Sequence, residues 1–278
     1  EVLVITGELA TIATATIEEA RAVAVNARRT LVRRGAPAGC KLMAIISQLE
    51  ATAAAVEQIA AQTRARIAGE VPDGATRVVS LHDLDARPIR KGRLGRPVEF
   101  GFKAQVADNT DGIVVDYLIV KGNPPDGPML APTVARIKAR FGRAPRAVTA
   151  DRGYGEAKID AELAVLGVKQ VAIPRRGKPG PARIKVQRGR VFTKLVKWRT
   201  GCEARISCLK RDFGWRRSLF DGIEGAQIWC GWGVLAHNSI KIAGLDAAAT
   251  RPPSAHTGPR TARNTPGTDP PTPAGIAA

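Results

Sequence analysis

The sequence predicts an α/β fold: a mixed sheet flanked by helices, preceded by an Ala-rich helical arm. Three observations carry this. Apolar residues recur at steps of three and four through the first 69 residues. A turn-forming cluster then separates two apolar runs, the first of them clearly alternating. After it, helical and strand patterns alternate as far as Ile173.

The elements follow in order. Gly7–Gly35 and Lys41–Gly69 read as two long helices, with Leu49, Ala53, Val56 and Ala60 on one face and the break at Gly35-Ala36-Pro37-Ala38-Gly39. With so few large side chains the pair is expected to form a weakly packed antiparallel arm and to be its least ordered helical part. Val78-Val79-Ser80 is a short strand candidate, and His82–Pro97 a polar loop with five Arg/Lys. Val98–Val106 alternates as a strand, Asp108-Asn109-Thr110-Asp111-Gly112 has turn chemistry, and Ile113–Val120 returns as its partner. Helices are predicted over Met129–Phe141 and Glu156–Leu166, with strands over Arg146–Ala150 and Val168–Ile173. Pro174–Arg190 is a basic Gly/Pro loop, helices follow over Val191–Phe213 and Ile223–Leu245, and Arg251–Ala278 lacks apolar periodicity and is expected to be disordered.

The 278 residues carry 43 Lys/Arg against 25 Asp/Glu, a formal net charge of +18. Between Val171 and Phe220 stand fifteen basic residues and two acids, so this window supplies +13 of it. Concentrated charge inside a periodic segment is the footprint of a polyanion partner, here nucleic acid. The stretch Arg175–Arg190 also fits a solvated loop, but its charge density favours DNA. Cys40, Cys202, Cys208 and Cys230 have no C-x-x-C spacing, and only three His are present, which leaves few ligands for a zinc site. No run of eighteen apolar residues occurs, and a cytoplasmic protein off the membrane is expected.

The chemistry centres on two acids. Asp151 closes the apolar run Val148-Thr149-Ala150, with Gly153 and Gly155 just beyond for an open turn. Glu203 lies on a predicted helix with Arg199 at i−4 and Lys210 at i+7. Displacement at a phosphodiester needs charge relief on the attacking and leaving oxygens, which carboxylate-held divalent ions supply. Asp151 and Glu203 are the candidate catalytic and metal-ligating residues, for Mg²⁺ or Mn²⁺. Arg199, Lys210, Arg175, Arg176 and Lys178 are the candidate DNA contacts. By itself Asp151 fits a helix N-cap equally well. Glu203 by itself fits a surface pair with Arg199 or Lys210. Asp126, Asp108 and Asp111 read as turn residues, Asp116 as a solvent-facing strand residue, and His237-Asn238 as a hydrogen-bonded pair.

Arg199-x3-Glu203-x6-Lys210 resembles the Y-x2-R-x3-E-x6-K motif of bacterial insertion-sequence transposases with a DDE, RNase H-like catalytic domain. Val196 stands at the motif's Tyr position. Thr149–Tyr154 is similar to that family's second-Asp motif, Gly122–Asp126 to the segment after its third strand, and Trp229–Asn238 to its closing helix. The resemblance covers about Ala75–Leu245 and implies an RNase H-like mixed sheet, Mg²⁺-dependent cleavage and transfer of DNA strands, double-stranded element ends and target as partners, a homo-oligomer, and a bacterial, nucleoid-associated location. It also implies a first catalytic Asp on an upstream strand, whereas no Asp precedes Asp73. The expectation is therefore an amino-terminally truncated transposase: residues 1–72 a helical arm within a helical insertion, 73–249 the catalytic domain, 250–278 a tail. A catalytically inactive DNA-binding remnant is the alternative.

Overall fold

The computed structural model describes residues 2–35, 37, 40–93, 95–250 and 273–277. The chain divides into two compact units, one of residues 1–103, 120–123 and 221–223, the other of 104–119, 124–220 and 224–278.

The first unit is built on α1 (Val2–Arg33) and α2 (Lys41–Ile67). Its seam has a seven-residue step on both helices: Ala10, Ile17 and Ala24 are buried on α1, Ile46, Ala53 and Ala60 on α2. Two turns of helix nearly return a side chain to the same face, so a heptad of small residues lets two helices approach closely. Thr14 pairs with Arg64, Arg21 with Glu57 and Arg28 with Glu50, so the partners advance in opposite directions and the helices are antiparallel. The predicted strand at Val78–Ser80 is absent. Val78 instead bonds the side-chain amide of Gln62, which accepts from its N–H at 2.9 Å and donates to its carbonyl at 3.0 Å, doing the work of a neighbouring strand. The polar run His82–Pro97 is not all loop. It contains β1 (Arg87–Arg93), paired antiparallel with the first part of β2 (Arg96–Asp108).

In the second unit β2 continues and pairs with β3 (Val114–Lys121). Asn109 shapes the turn between them, its Oδ1 accepting from the N–H groups of Asp111 and Ile113 at 3.0 and 2.9 Å. Then come α3 (Gly127–Phe141), β4 (Ala147–Ala150), α4 (Ala157–Leu166), β5 (Gln170–Ala172), α5 (Pro181–Gln187), α6 (Arg190–Asp212) and α7 (Gly222–Ala249). The short α5 interrupts the predicted basic loop; Pro181 opens it at a position where a missing N–H is harmless. Within the tail expected to be disordered, Pro273–Ala277 form a strand, β6, while 251–272 lie outside the described residues.

The strand path is β2, β6, β4, β5. β6 runs antiparallel to β2 and parallel to β4, with Ile276 opposite both Ala107 and Ala150. β4 and β5 are parallel. Ala107, Leu130, Val134, Val148, Leu163 and Ile173, each wholly buried, form the main core between sheet, α3 and α4. Full burial of such a side chain contributes about 1.5–3 kcal/mol, so this cluster fixes the end of β4 in place. Asp116 does not face solvent: it is 3 % exposed and accepts from Nε and Nη2 of Arg136, with Arg140 3.7 Å away. Asp108 is the buried last residue of β2, held by Arg205 at 2.9 Å and Cys202 at 2.9 Å. No helix among the described residues is long and apolar enough to cross a membrane. The fold class is as expected, a mixed α/β arrangement of the RNase H-like kind with a helical N-terminal region.

Candidate active site

The site begins where β4 stops. Four buried residues, Ala147–Ala150, carry the chain to Asp151, whose backbone is still extended, and a short helical turn over Arg152–Tyr154 follows. The turn is anchored by Tyr154, whose ring is wholly buried in the main core. Gly155 then passes the basic loop at close range. Its carbonyl accepts from the N–H of Arg176 at 2.8 Å, and a Cβ there would stand 2.0 Å from the carbonyl oxygen of Pro174. Arg152 donates to the carbonyls of Arg175 and Gly177 at 3.2 and 3.0 Å. The turn that presents Asp151 and the basic loop are thus one hydrogen-bonded structure.

Glu203 arrives from α6. Phe192, Leu195, Cys202 and Leu209 are the buried face of this helix, and the first two pack with Ala147 of β4 and Ala172 of β5. That packing sets Arg199 over the carboxyl end of β4. Nη1 of Arg199 contacts Oδ1 of Asp151 and lies 3.1 Å from Oε1 of Glu203. The Arg199 side chain is 16 % exposed, that of Asp151 40 % and that of Glu203 61 %. Burial pushes the Asp151 carboxyl above its ordinary value; Arg199 opposes this, and the nearby charges of Glu203 and Asp126 add to it.

The structure therefore brings Asp151, Arg199 and Glu203 together. Lys210 follows Glu203 by two turns of α6 and is half-buried. Arg176 and Lys178 are exposed on the basic loop, Arg176 with its guanidinium 3.6 Å from Glu156. Arg175 faces inward, 2.8 Å from Asp160, which also accepts from Arg183 at 2.9 Å. Its charge is committed inside the protein, where it ties the loop to α4. Beyond the loop, Lys185, Arg188, Arg190, Lys194 and Lys197 are exposed on or beside α5 and α6.

One further acid stands near this turn. Asp126, taken as a turn residue, stands at the N-terminal boundary of α3 without making a side-chain cap bond. Its Oδ2 lies 2.7 Å from where a Cβ on Gly153 would be. Its charge is felt by both Asp151 and Tyr154. The only signal in the sequence was an acid just before a helix, which is what an ordinary N-cap looks like.

Among the described residues no three His, Cys, Asp or Glu side chains are gathered closely enough to enclose a metal ion. The donor chemistry nevertheless fits Mg²⁺, which is commonly held by one or two carboxylates together with substrate phosphates. Two carboxylates here already converge on one positive group, the Arg199 guanidinium. No curated protein and no solved structure matches the chain. The family model described as the transposase DDE domain matches residues 80–239, more than half of the chain and every site residue above, and the chain belongs to that family.

Proposed function

We propose that this chain is a transposase that binds double-stranded DNA at the ends of a mobile element and at its target, with Asp151 and Glu203 as the carboxylates that hold Mg²⁺ or Mn²⁺ for strand cleavage and transfer. The observation that carries the reading is the convergence of these two acids, 52 residues apart in the chain, on the single guanidinium of Arg199. A divalent ion held there would relieve charge on the oxygens of the scissile phosphate and favour a hydroxide-like nucleophile. The protein's own side chains do the rest. Arg199 orients both acids and, once displaced by an ion, is placed to meet a phosphate oxygen. Arg176 and Lys178, on the loop bonded to the Asp151 turn, position the backbone of the DNA without reading its bases, and Lys210 extends the same track. Arg175 acts in this reading by holding the loop in place.

In this reading residues 1–72 form the helical arm, 73–249 the catalytic domain and 250–278 a tail that adds β6 to the sheet of that domain. The assembly is a homo-oligomer on bacterial nucleoid DNA. One observation favours a second reading, a DNA-binding remnant without catalysis. The strand beside β4, Pro273-Ala274-Gly275-Ile276-Ala277, contains no acid, so the centre of the sheet adds no carboxylate next to Asp151.

Incubation of the full chain with supercoiled plasmid and Mg²⁺ separates the two. Nicking that disappears in Asp151→Asn and Glu203→Gln establishes the enzyme. Salt-dependent DNA retention without nicking establishes the remnant, and absence of DNA retention at low salt refutes both. A steep fall of affinity with salt is common to both readings and does not discriminate.

A further inference from the structure

No Asp or Glu occurs between Glu162 and Glu203, while eleven Lys/Arg do. Four of these cations are committed to acids around the site. Arg175 and Arg183 pair with Asp160, Arg176 lies 3.6 Å from Glu156, and Arg199 bridges Asp151 and Glu203. Lys185, Arg188, Arg190, Lys194 and Lys197 are exposed and form no ion pair among the described residues. Their charge is left for a partner from outside.

The helix decides where that charge points. Phe192, Leu195, Cys202 and Leu209 are the buried side of α6, and Arg199 lies on the same side, at the end of β4. Arg190, Lys194 and Lys197 stand at i, i+4 and i+7 and so form one stripe. At 3.6 residues per turn this stripe is about half a turn round the helix from Arg199. Lys185 and Arg188, at the end of α5, come just before it in the chain. A duplex is stiff over about 150 base pairs, so one laid against Asp151 and Glu203 does not bend round α6 to the outward stripe.

The chemistry of the stripe selects the occupant. Phe192 is buried and Trp198 half-buried, so no exposed aromatic ring offers the stacking platform that a single strand needs. The exposed neighbours Val191, Thr193, Thr200 and Gly201 include no Asn or Gln to read base edges. What remains is cationic contact with phosphates, which holds a duplex whatever its sequence. We propose that the outward face of α6, with the end of α5, is a second DNA site, which grips the backbone of a double-stranded target while the face with Asp151 and Glu203 holds the element end. This inference rests on the proposed function and gives the two DNA partners separate surfaces.

The test is lysine acetylation of the full chain, read by mass spectrometry, as a short duplex of arbitrary sequence is added at low salt. Protection should come in two separate steps, one at Lys178 and one shared by Lys185, Lys194 and Lys197. Changing Arg190, Lys194 and Lys197 together to Gln should raise the DNA concentration that protects Lys185 at least tenfold. It should also lower the salt slope of that step by about 2 to 3, with Lys178 protected as before and the urea midpoint unchanged. Protection of all four lysines in one step, of Lys178 alone, or of the stripe by polyglutamate as well as by duplex overturns the inference and leaves the proposed function standing. An unchanged Lys185 step in the triple variant overturns it equally. No protection of any lysine by DNA overturns both.

Discussion

Nη1 of Arg199 lies 3.1 Å from Oε1 of Glu203, one turn along the same helix, and the same nitrogen reaches across to Asp151 at the end of β4. An i,i+4 pair on a helix surface contributes a few tenths of a kcal/mol on its own. The bridge to a second, half-buried acid changes the balance, because removing Arg199 leaves two carboxylates facing each other with Asp126 nearby. Arg199→Gln is therefore expected to destabilise the protein by about 1–3 kcal/mol in the absence of divalent ions. Mg²⁺ should restore part of that loss, since it supplies the missing charge. Urea unfolding of wild type and variant, with and without millimolar Mg²⁺, measures both effects. An unchanged midpoint without Mg²⁺ would show that the bridge contributes nothing.

Gly155 is a steric requirement of a different kind. Its φ is −79°, a value any residue adopts, so conformational freedom is not the reason for glycine. The reason is the carbonyl of Pro174, 2.0 Å from where a Cβ would be. Gly155→Ala must push the basic loop away and break the bond from the Arg176 N–H to the Gly155 carbonyl. A cost of about 1–3 kcal/mol is expected from such overpacking, together with weaker DNA retention because Arg176 and Lys178 move. Gly177→Ala provides the control. Nothing lies within 4 Å of its Cβ position, but its φ of 80° adds backbone strain, so it should lose stability without the same loss of retention.

How far the sequence anticipated the site depended on what each residue needed from the fold. Asp151 was legible because its context is local: the short run Val148-Thr149-Ala150, an acid and two glycines describe a strand end by themselves. Glu203 was legible through its spacing to Arg199 and Lys210 on one helix. The approach of Asp126 to Gly153 was not, since it is created by the packing of α3 against the Asp151 turn, a relation between segments 27 residues apart. The inward pairing of Arg175 with Asp160 was hidden for the same reason: charge density in a loop does not say which cation turns inside. β1 was missed because its alternation is carried by Arg and Lys, and the heptad of the helical pair was blurred by Ala, which suits buried and exposed faces alike.

His237 gives the second unit a pH dependence of known sign. The ring is buried, packs edge-on to Phe213 with centroids 5.4 Å apart, and has Nδ1 3.1 Å from Oδ1 of Asn238. Burial holds its pKa below the ordinary value of 6.5, and the positive charges of Arg205 and Lys241 act in the same direction. The unfolded chain therefore binds a proton at a pH where the folded chain does not. Stability contributed by the neutral ring is present above about pH 6.5 and is lost as pH falls through the depressed folded value. Thermal unfolding between pH 7.5 and 5 should show this decline, and His237→Gln should flatten it. A variant with the same slope as wild type would assign the acid sensitivity elsewhere.

β6 occupies an inner place in the sheet with an unpromising sequence. Proline opens it, glycine sits at its middle, and Ile276 is its one β-branched residue. What keeps it there is backbone pairing on both edges, to Val106–Asp108 of β2 and to Ala147–Ala150 of β4. Truncation after Thr250 would leave two facing rows of unpaired N–H and carbonyl groups in the middle of the sheet, an arrangement that proteins otherwise protect. The truncated chain is expected to unfold at lower urea concentration than the full chain. Its amides at Val106–Asp108 and Val148–Ala150 should exchange with solvent at least tenfold faster, because local opening there no longer breaks a ladder. The seam of α1 and α2 belongs to the other unit, so the amides of Ile17, Ala24 and Ala53 should keep their exchange rates. Equal protection of the β4 amides in both chains would show that β6 does not pair there in solution.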